Sequence, residues 1–440
     1  HTITPVRFRK PEHGGIRTNH HERYILSSTA DNSPFAAFRV RSFRFQWGAD
    51  LATSWAFEME TLIFGWYILV ETRSVFLLTL FASLQYIGTL LAPMFGVMGH
   101  RIGEKRLLCT MRAFYSTLGT LVTVLAFAGL LNPVQVLIMA TLMGLVRPSD
   151  IAVRFALIGN TMPAGQMMGA MSMSRTTQDS ARIMGALTGA GMFAALGMVP
   201  ALLAIALLYA TSLVLTLRVS SRRPDGVAEK TAASPWRDLK DALNHVRHTP
   251  RLLGTMVLAF LFNVTAFSMV MGLLPYVAKD IYGTGQTGLG YLVASFAFGS
   301  VLGTVTLLKF GDRMPPGRTM LINCVLWHLA IGVFGQVSTL GTGIVVLILA
   351  GLAQSLCTIP LSVMLLRTTD DRFRGRVMGV RILAVYGLPV GLLIAGELVT
   401  LIGYPMTSML YCVAGITCVL LIALRWRADL WKRDAPANSR

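Results

Sequence analysis

Two carboxylates, Glu58 and Glu60, stand in the middle of an otherwise apolar stretch at 44–70. An ionisable side chain in such surroundings is costly unless it is paired, reaches a polar boundary or has work to do. The work open to a carboxylate is to take up and release a proton. On a helix turning about 100° per residue, the two side chains point about 200° apart, so they cannot share one narrow face. One can face a central cavity while the other packs against a neighbouring helix. Glu58 lies closest to the centre of the stretch and is the favoured titrating group. Asp50 is a further candidate, a turn or two from the end of the same stretch. In 165–193, Arg175, Gln178, Asp179 and Arg182 recur at i, i+3, i+4 and i+7 and line one stripe. Asp179 can reach Arg175 or Arg182, which leaves one guanidinium for an anionic group or for a carboxylate of the first stretch. Glu58, Glu60, Asp50 and Asp179 are thus the candidates for proton coupling. Arg175, Gln178 and Arg182 are the candidates for contact with a bound compound, joined by Asn263 and Tyr386 as polar groups in later stretches.

Other polar residues read more plainly. Arg381 lies five residues beyond Arg376, about 7.5 Å deeper on a helix, and is expected to snorkel back toward the surface. His328 is expected to be a satisfied structural histidine, and Lys279-Asp280 to mark an interface. Gly185 with Gly189, and Gly299 with Gly303, have the spacing that lets helices approach closely. The five cysteines contain no CxxC pair, so buried thiols are expected and a metal site is not. No nucleophile–base pair stands out, no cofactor is implied, and no GxxxxGK[ST] string is present to hold a nucleotide.

The elements that must carry these residues follow from composition. Of 440 residues, 54% are hydrophobic and 14% charged, against about 25% charged in a soluble globular chain. Apolar segments run at 44–70, 75–98, 107–129, 134–158, 165–193 and 196–217, then at 252–278, 286–308, 319–338, 343–366, 376–402 and 405–425. The expectation is an all-α polytopic membrane protein with twelve transmembrane helices in two six-helix bundles. The domains would be a polar tail at 1–42, a bundle at 43–217, a linker at 218–251, a second bundle at 252–425 and a tail at 426–440. Within the linker, 236–248 has amphipathic spacing, with Trp236, Leu239 and Leu243 toward lipid or protein.

The net charge of +18 does not point to nucleic acid, because the basic residues lie mainly in loops and tails. Connections after every second segment hold 21 Lys and Arg, and the opposite connections hold only Arg73 and Lys279. With the basic side inward, both termini and the linker are cytoplasmic.

Four of the inner junctions carry a resemblance. Gly96-Val-Met-Gly-His100-Arg101-Ile-Gly103-Glu104-Lys105-Arg106 resembles the G-x-x-x-D-R-x-G-R-[RK] signature of the major facilitator superfamily. Gly311-Asp312-Arg313 with Gly317-Arg318 is similar to its degenerate counterpart. Arg147-Pro148 with Arg154 closes segment 4, and Arg374-Gly375-Arg376-Val377-Met378-Gly379 opens segment 11. The last string, with Gly387, Pro389 and Gly391, resembles the bacterial branch of siderophore and macrolide-type drug exporters, as does Arg182-Ile-Met-Gly185 with Gly189. The resemblance covers about 43–425. It implies gating roles for His100, Arg101, Glu104, Arg147, Arg154, Asp312, Arg313, Arg374 and Arg376. His100 stands where the family has a carboxylate, and Glu104 where it has a basic residue. Either the gate is rebuilt around Glu104, or its closure is weakened and made pH-sensitive through His100.

The function implied is a proton-coupled exporter of an amphiphilic organic compound, such as a siderophore or drug, in a bacterial inner membrane. Its partners would be the small organic substrate, protons and membrane lipids, and it would act as a monomer. Uptake or lipid translocation by the same fold is the alternative, followed by a non-transporting receptor or assembly partner.

Overall fold

A computed structural model of the protein describes residues 36–91, 94–95, 98, 102–162, 164–220, 235–369 and 374–431. All regular structure among them is helical. The N-terminal helices are α1 (Arg41–Thr72), α2 (Val75–Leu84), α3 (Glu104–Phe127), α4 (Pro133–Thr161), α5 (Ala164–Leu196) and α6 (Met198–Leu217). A linker helix, α7 (Pro235–His248), precedes the C-terminal set. That set comprises α8 (Pro250–Phe262), α9 (Gln286–Phe310), α10 (Pro316–Phe334), α11 (Leu340–Thr368), α12 (Arg374–Ala384), α13 (Gly387–Ile402) and α14 (Tyr404–Arg425).

Among the described residues, nine helical spans are long and apolar enough to cross a membrane, and Val75–Thr89 is a shorter apolar helix. The protein is a multi-pass membrane protein. The polar residues of α1 and α5 keep those two long helices outside the nine, and they carry the stripes identified from sequence.

Local chemistry explains the short turns. Asn132 accepts from the Gln135 amide at 3.0 Å while the Gln135 side chain accepts from the Asn132 amide, a reciprocal cap that starts α4 with Pro133 behind it. Gly403, at φ 79°, makes the turn between α13 and α14.

Helix α1 packs on α5 and α6, α3 on α6 and α4, and α9 on α11, which also holds α10. The N- and C-terminal helices meet through α5 on α9 and α2 on α13. The expected glycine spacings are both used. A Cβ on Gly185 would stand 2.7 Å from Glu58 Cβ, and one on Gly299 would collide with the Ile348 carbonyl. Helix α8 is followed by a π-helical turn at Asn263–Phe267 and a break at Gly272 beside Leu392 and Ala82. Such breaks are tolerated at membrane depth where protein or a cavity covers them.

The linker helix forms where its amphipathic spacing predicts it, and it packs against α12 and α8. Val246 is buried, but Leu243 is exposed. The side chains of Trp236 and Leu239 lie outside the described set.

Candidate functional site

Helix α1 is pinned to α5 by two indole donors, Trp47 to Thr177 at 2.7 Å and Trp55 to Thr188 at 2.8 Å. These bonds and the close approach at Gly185 fix the rotation of α1. The carboxylates separate as their spacing requires. Glu58 faces α5, where Arg182 Nε stands 3.5 Å from its Oε1, and both residues line a cavity. Glu60 faces α6 and accepts from the Tyr209 hydroxyl at 2.6 Å, buried within the N-terminal helices.

The cavity lies between the N- and C-terminal helices and encloses about 670 Å³, including space open to solvent. Thr61, Phe81 and Gln85 line one side, and Val270, Pro275 and Phe296 the other. The walls are apolar apart from a few polar groups, of which Glu58 and Arg182 are the charged ones.

One end of the cavity is shut by packing. Gly396 sits against Thr79, Gly65 against Pro275, and Gly290 against Ala190 and the Ala186 carbonyl. Ser83 donates to the Pro389 carbonyl at 3.3 Å. These contacts lie toward the end that carries Arg73 and Lys279. Tyr386 was expected as a cavity contact. Its hydroxyl donates to the Ile87 carbonyl at 2.7 Å, linking the turn after α2 to the residue that precedes α13. Asn263 does not line this cavity; its amide donates to Ala259 O at 2.8 Å, and the residue is buried.

Asp50 is not at the cavity. It pairs with Arg112 in a buried cluster and stands 3.5 Å from Arg154 Nε. Arg154 in turn takes both oxygens of Asp150 at 2.9 and 3.0 Å and donates to Ser54 at 2.9 Å. Arg112 also donates to Thr216. Two carboxylates and two guanidiniums thus join α1, α3, α4 and α6 with formal charges that cancel. The sequence reading counted Arg112 and Arg154 with the basic junctions at the inner ends of their segments and gave Asp150 no role. The i,i+4 spacing of Asp150 and Arg154 was the signal available.

Arg147 and Arg154 carried gating expectations, yet every partner found for them lies within 41–217. Arg147 lies 4.3 Å from the Phe57 ring centroid and donates to Gln85 at 2.6 Å and Thr61 at 3.1 Å, directly behind the cavity wall. Glu104 is in the first turn of α3, where its charge complements the helix dipole. Arg313 is exposed in a turn between α9 and α10. His100 and Arg101 lie outside the described residues, and the side chains of Asp312, Arg374 and Arg376 outside the described set.

Of the α5 stripe, only Arg182 lines the cavity; Asp179 acts on it electrostatically, and Gln178 and Arg175 lie farther along. His328 is satisfied as expected, with Nε2 2.7 Å from the Thr265 hydroxyl and Nδ1 2.7 Å from the Cys324 carbonyl.

Comparison with known proteins gives a consistent picture. The family model described as "Transmembrane secretion effector" matches residues 32–439. Enterobactin exporter EntS of Escherichia coli (strain UTI89 / UPEC) is 28% identical over 145 residues, which is 33% of this chain and 34% of that protein. The protein of the same name in Shigella flexneri is 28% identical over 145 residues, 33% of each. The chain thus spans about a third of the length of the curated relatives it matches. Among solved structures, the nucleoside transporter NupG superposes at TM-score 0.69 with 14% identity, covering 90% of this chain and 100% of that one. The POT family transporter PepTSo gives 0.71 and 12%, covering 89% and 99%. A bacterial homologue of the lysosomal transporter Spinster, in an inward-facing and unoccupied conformation, gives 0.68 and 13%, covering 90% and 99%.

Proposed function

This chain belongs to the transmembrane secretion effector family of major facilitator transporters, and from that premise we propose that it exports an amphiphilic organic compound by proton-coupled alternating access. The observation that carries the reading is the Glu58–Arg182 pair, open to a cavity between the N- and C-terminal helices. Protonation of Glu58 would release Arg182 from its partner and change the charge of the cavity wall. Cargo that binds against the ionised Glu58–Arg182 pair and a proton that neutralises Glu58 then exclude each other, which is the requirement for antiport. The partial match to enterobactin exporters favours outward movement and cargo of the siderophore or drug type.

In this reading α1, α2 and α5 also span the membrane, giving twelve spans in two six-helix bundles at 43–217 and 252–425. The basic connections place the tails and the 218–251 linker in the cytoplasm of a bacterial cell, with the bundles in its inner membrane. The shut end is then the outer one, and the cavity belongs to an inward-facing state. Glu104 with Arg313, Asp312, Arg374 and Arg376 would meet at the inner gate when the transporter turns outward, with His100 and Arg101 beside them.

The test begins with an untargeted comparison of compounds accumulated by cells with and without active protein. The compound found is then followed in reconstituted vesicles with an internal pH dye. Glu58→Gln is expected to abolish proton-driven concentration while cargo exchange without a gradient persists. Glu60→Gln is expected to keep most proton-driven flux. If both variants concentrate cargo as the parent does, α1 does not hold the coupling site.

A further inference from the structure

Gln85 follows the last residue of α2 and lines the cavity together with Thr61, which stands three residues beyond Glu58 on the same face of α1. Two glycines bring α4 against this turn. A Cβ on Gly144 would collide with the Leu84 carbonyl, and one on Gly88 with the Leu145 carbonyl. The close approach delivers Arg147, about one turn beyond Gly144, to the back of the cavity wall. There its guanidinium lies over the Phe57 ring at 4.3 Å. Among the described residues no carboxylate stands within ion-pair distance of Arg147, so its hydrogen bonds go to neutral acceptors.

Those bonds decide which way round the Gln85 amide sits. Arg147 Nη1 is 2.6 Å from one terminal atom of Gln85, and because a guanidinium only donates, that atom is the carbonyl Oε1. The Thr61 hydroxyl donates to the same oxygen at 3.0 Å and accepts from Arg147 Nη1 at 3.1 Å, which spends its only hydrogen. Oε1 is thus held twice on the protein side, and Nε2 takes the other position. Nε2 donates to no described residue, yet it is not sealed within the protein, so it opens onto the cavity that Gln85 lines. A glutamine that only tied α1, α2 and α4 together would have no reason to hold its donor clear. The bond from Arg147 also polarises the amide and strengthens the N–H on its far side. The remaining polar groups of the wall offer no equivalent: the Thr61 hydrogen is spent, an ionised Glu58 only accepts, and Arg182 faces Glu58 at 3.5 Å.

We infer that Gln85 is a specificity-determining residue of the cavity, held by Arg147 and Thr61 so that its amide donates to a carbonyl-type oxygen of the cargo. The inference rests on reading the cavity as the cargo site. It narrows the cargo to compounds that carry a ketone, ester or amide oxygen beside an apolar body able to lie on Phe81, Val270 and Phe296. A compound without that oxygen leaves the amide unpaired in a space from which it has displaced water, and is disfavoured for that reason. Arg147 touches no cargo in this account; it is a positioning residue that orients the amide and lends it charge.

The test uses the purified full chain in detergent with two probes of nearly equal shape, 2-acetylnaphthalene and 2-isopropenylnaphthalene, which differ in having a carbonyl oxygen or a methylene group. Their affinities are measured by equilibrium dialysis, and the ratio of the two is compared between parent and variants, which cancels the partition of each probe into micelles. Gln85→Leu is expected to shift the ratio about tenfold against the ketone. Gln85→Glu keeps the shape, gives Arg147 a carboxylate and turns an acceptor to the cavity, so it should shift the ratio at least as far while the fold holds. Arg147→Lys should keep more of the ketone preference than Arg147→Met. With a carbon-13-labelled carbonyl, difference infrared spectra should show the bound ketone stretch at lower frequency in the parent than in Gln85→Glu, a signature that loss of packing alone would not produce. No binding of the ketone by the parent, an unchanged ratio in Gln85→Glu, or the same stretch in both proteins overturns the assignment. These measurements need no transport. Ketone selectivity that holds while the vesicle assay fails would sink the export reading alone, and transport that holds without selectivity would sink the role of Gln85 alone.

Discussion

Replacing Asp50 by Asn separates a structural clamp from a coupling carboxylate. The side chains of Arg112 and Asp50 are 1% and 5% exposed, and the Arg154 and Asp150 side chains beside them are 1% and 0% exposed. The cluster is neutral when all four groups are charged. Asn preserves the shape and one acceptor but leaves two guanidiniums against one carboxylate. Arg112 keeps Thr216 and Arg154 keeps Asp150, so the uncompensated charge settles on Arg112. Removing one partner of a buried pair costs about 3–5 kcal/mol, whereas replacing both by apolar groups of similar volume is often close to neutral. Asp50→Asn should therefore lower the unfolding midpoint in mild detergent markedly, and Asp50→Asn with Arg112→Met should recover most of the loss. The accompanying readout is cargo flux in vesicles per folded molecule, which the clamp reading expects to remain proton-driven in the double variant. A single variant that unfolds like the parent but no longer concentrates cargo would refute this reasoning and return Asp50 to the list of coupling groups.

Two further perturbations address the other elements of the site. Tyr209→Phe removes the hydroxyl that donates to Glu60 and should cost about 1–3 kcal/mol of stability, measured by the same unfolding assay; no loss would mean that Glu60 finds an equal donor elsewhere. Gly290→Leu puts a side chain into Ala190 and the Ala186 carbonyl, so spin-label distances between the Leu196 end of α5 and the Gln286 end of α9 should lengthen. An unchanged distance distribution would remove that contact from the closure of the shut end.

What could be read from sequence was periodic or electrostatic. The 200° separation of Glu58 and Glu60 holds as helix geometry, and the cavity takes the one and α6 the other. The i,i+7 stripe on α5 and the small-residue spacings at Gly185 and Gly299 are likewise repeats of the helix itself. Boundaries were harder. Arg112 is in the third turn of α3, close behind Lys105 and Arg106, and was counted with them as part of a basic inner junction, so its burial and its pairing with Asp50 went unseen. Asn263 and Tyr386 show a different difficulty. A polar side chain in an apolar segment can meet its own backbone or a neighbouring one, and sequence does not say which is nearer. Asn263 took the Ala259 carbonyl and Tyr386 took that of Ile87.

The distribution of charge in depth is uneven between the two sets of helices. The clamp around Asp50, the Glu60–Tyr209 bond with Arg147 behind it, and the Glu58–Arg182 pair all lie within 41–217. The helices after the linker contribute, near the same depth, a satisfied histidine, the Arg381 guanidinium and apolar cavity walls. On the export reading this asymmetry divides the labour. The N-terminal helices keep a fixed, neutral clamp away from the cavity, so that only the pair on the cavity face responds to a proton. The C-terminal helices offer the irregular turn at Asn263–Phe267 and the break at Gly272, packed on Leu392 of α13, as the surface that yields when the bundles rock. A titrating Glu58 can bias that motion only if Arg182 is free to respond, which requires Asp179 to be too weak a substitute partner. Asp179→Asn should therefore leave proton-driven flux largely intact. A variant that abolished it would move the coupling role from the α1 carboxylate to the α5 stripe.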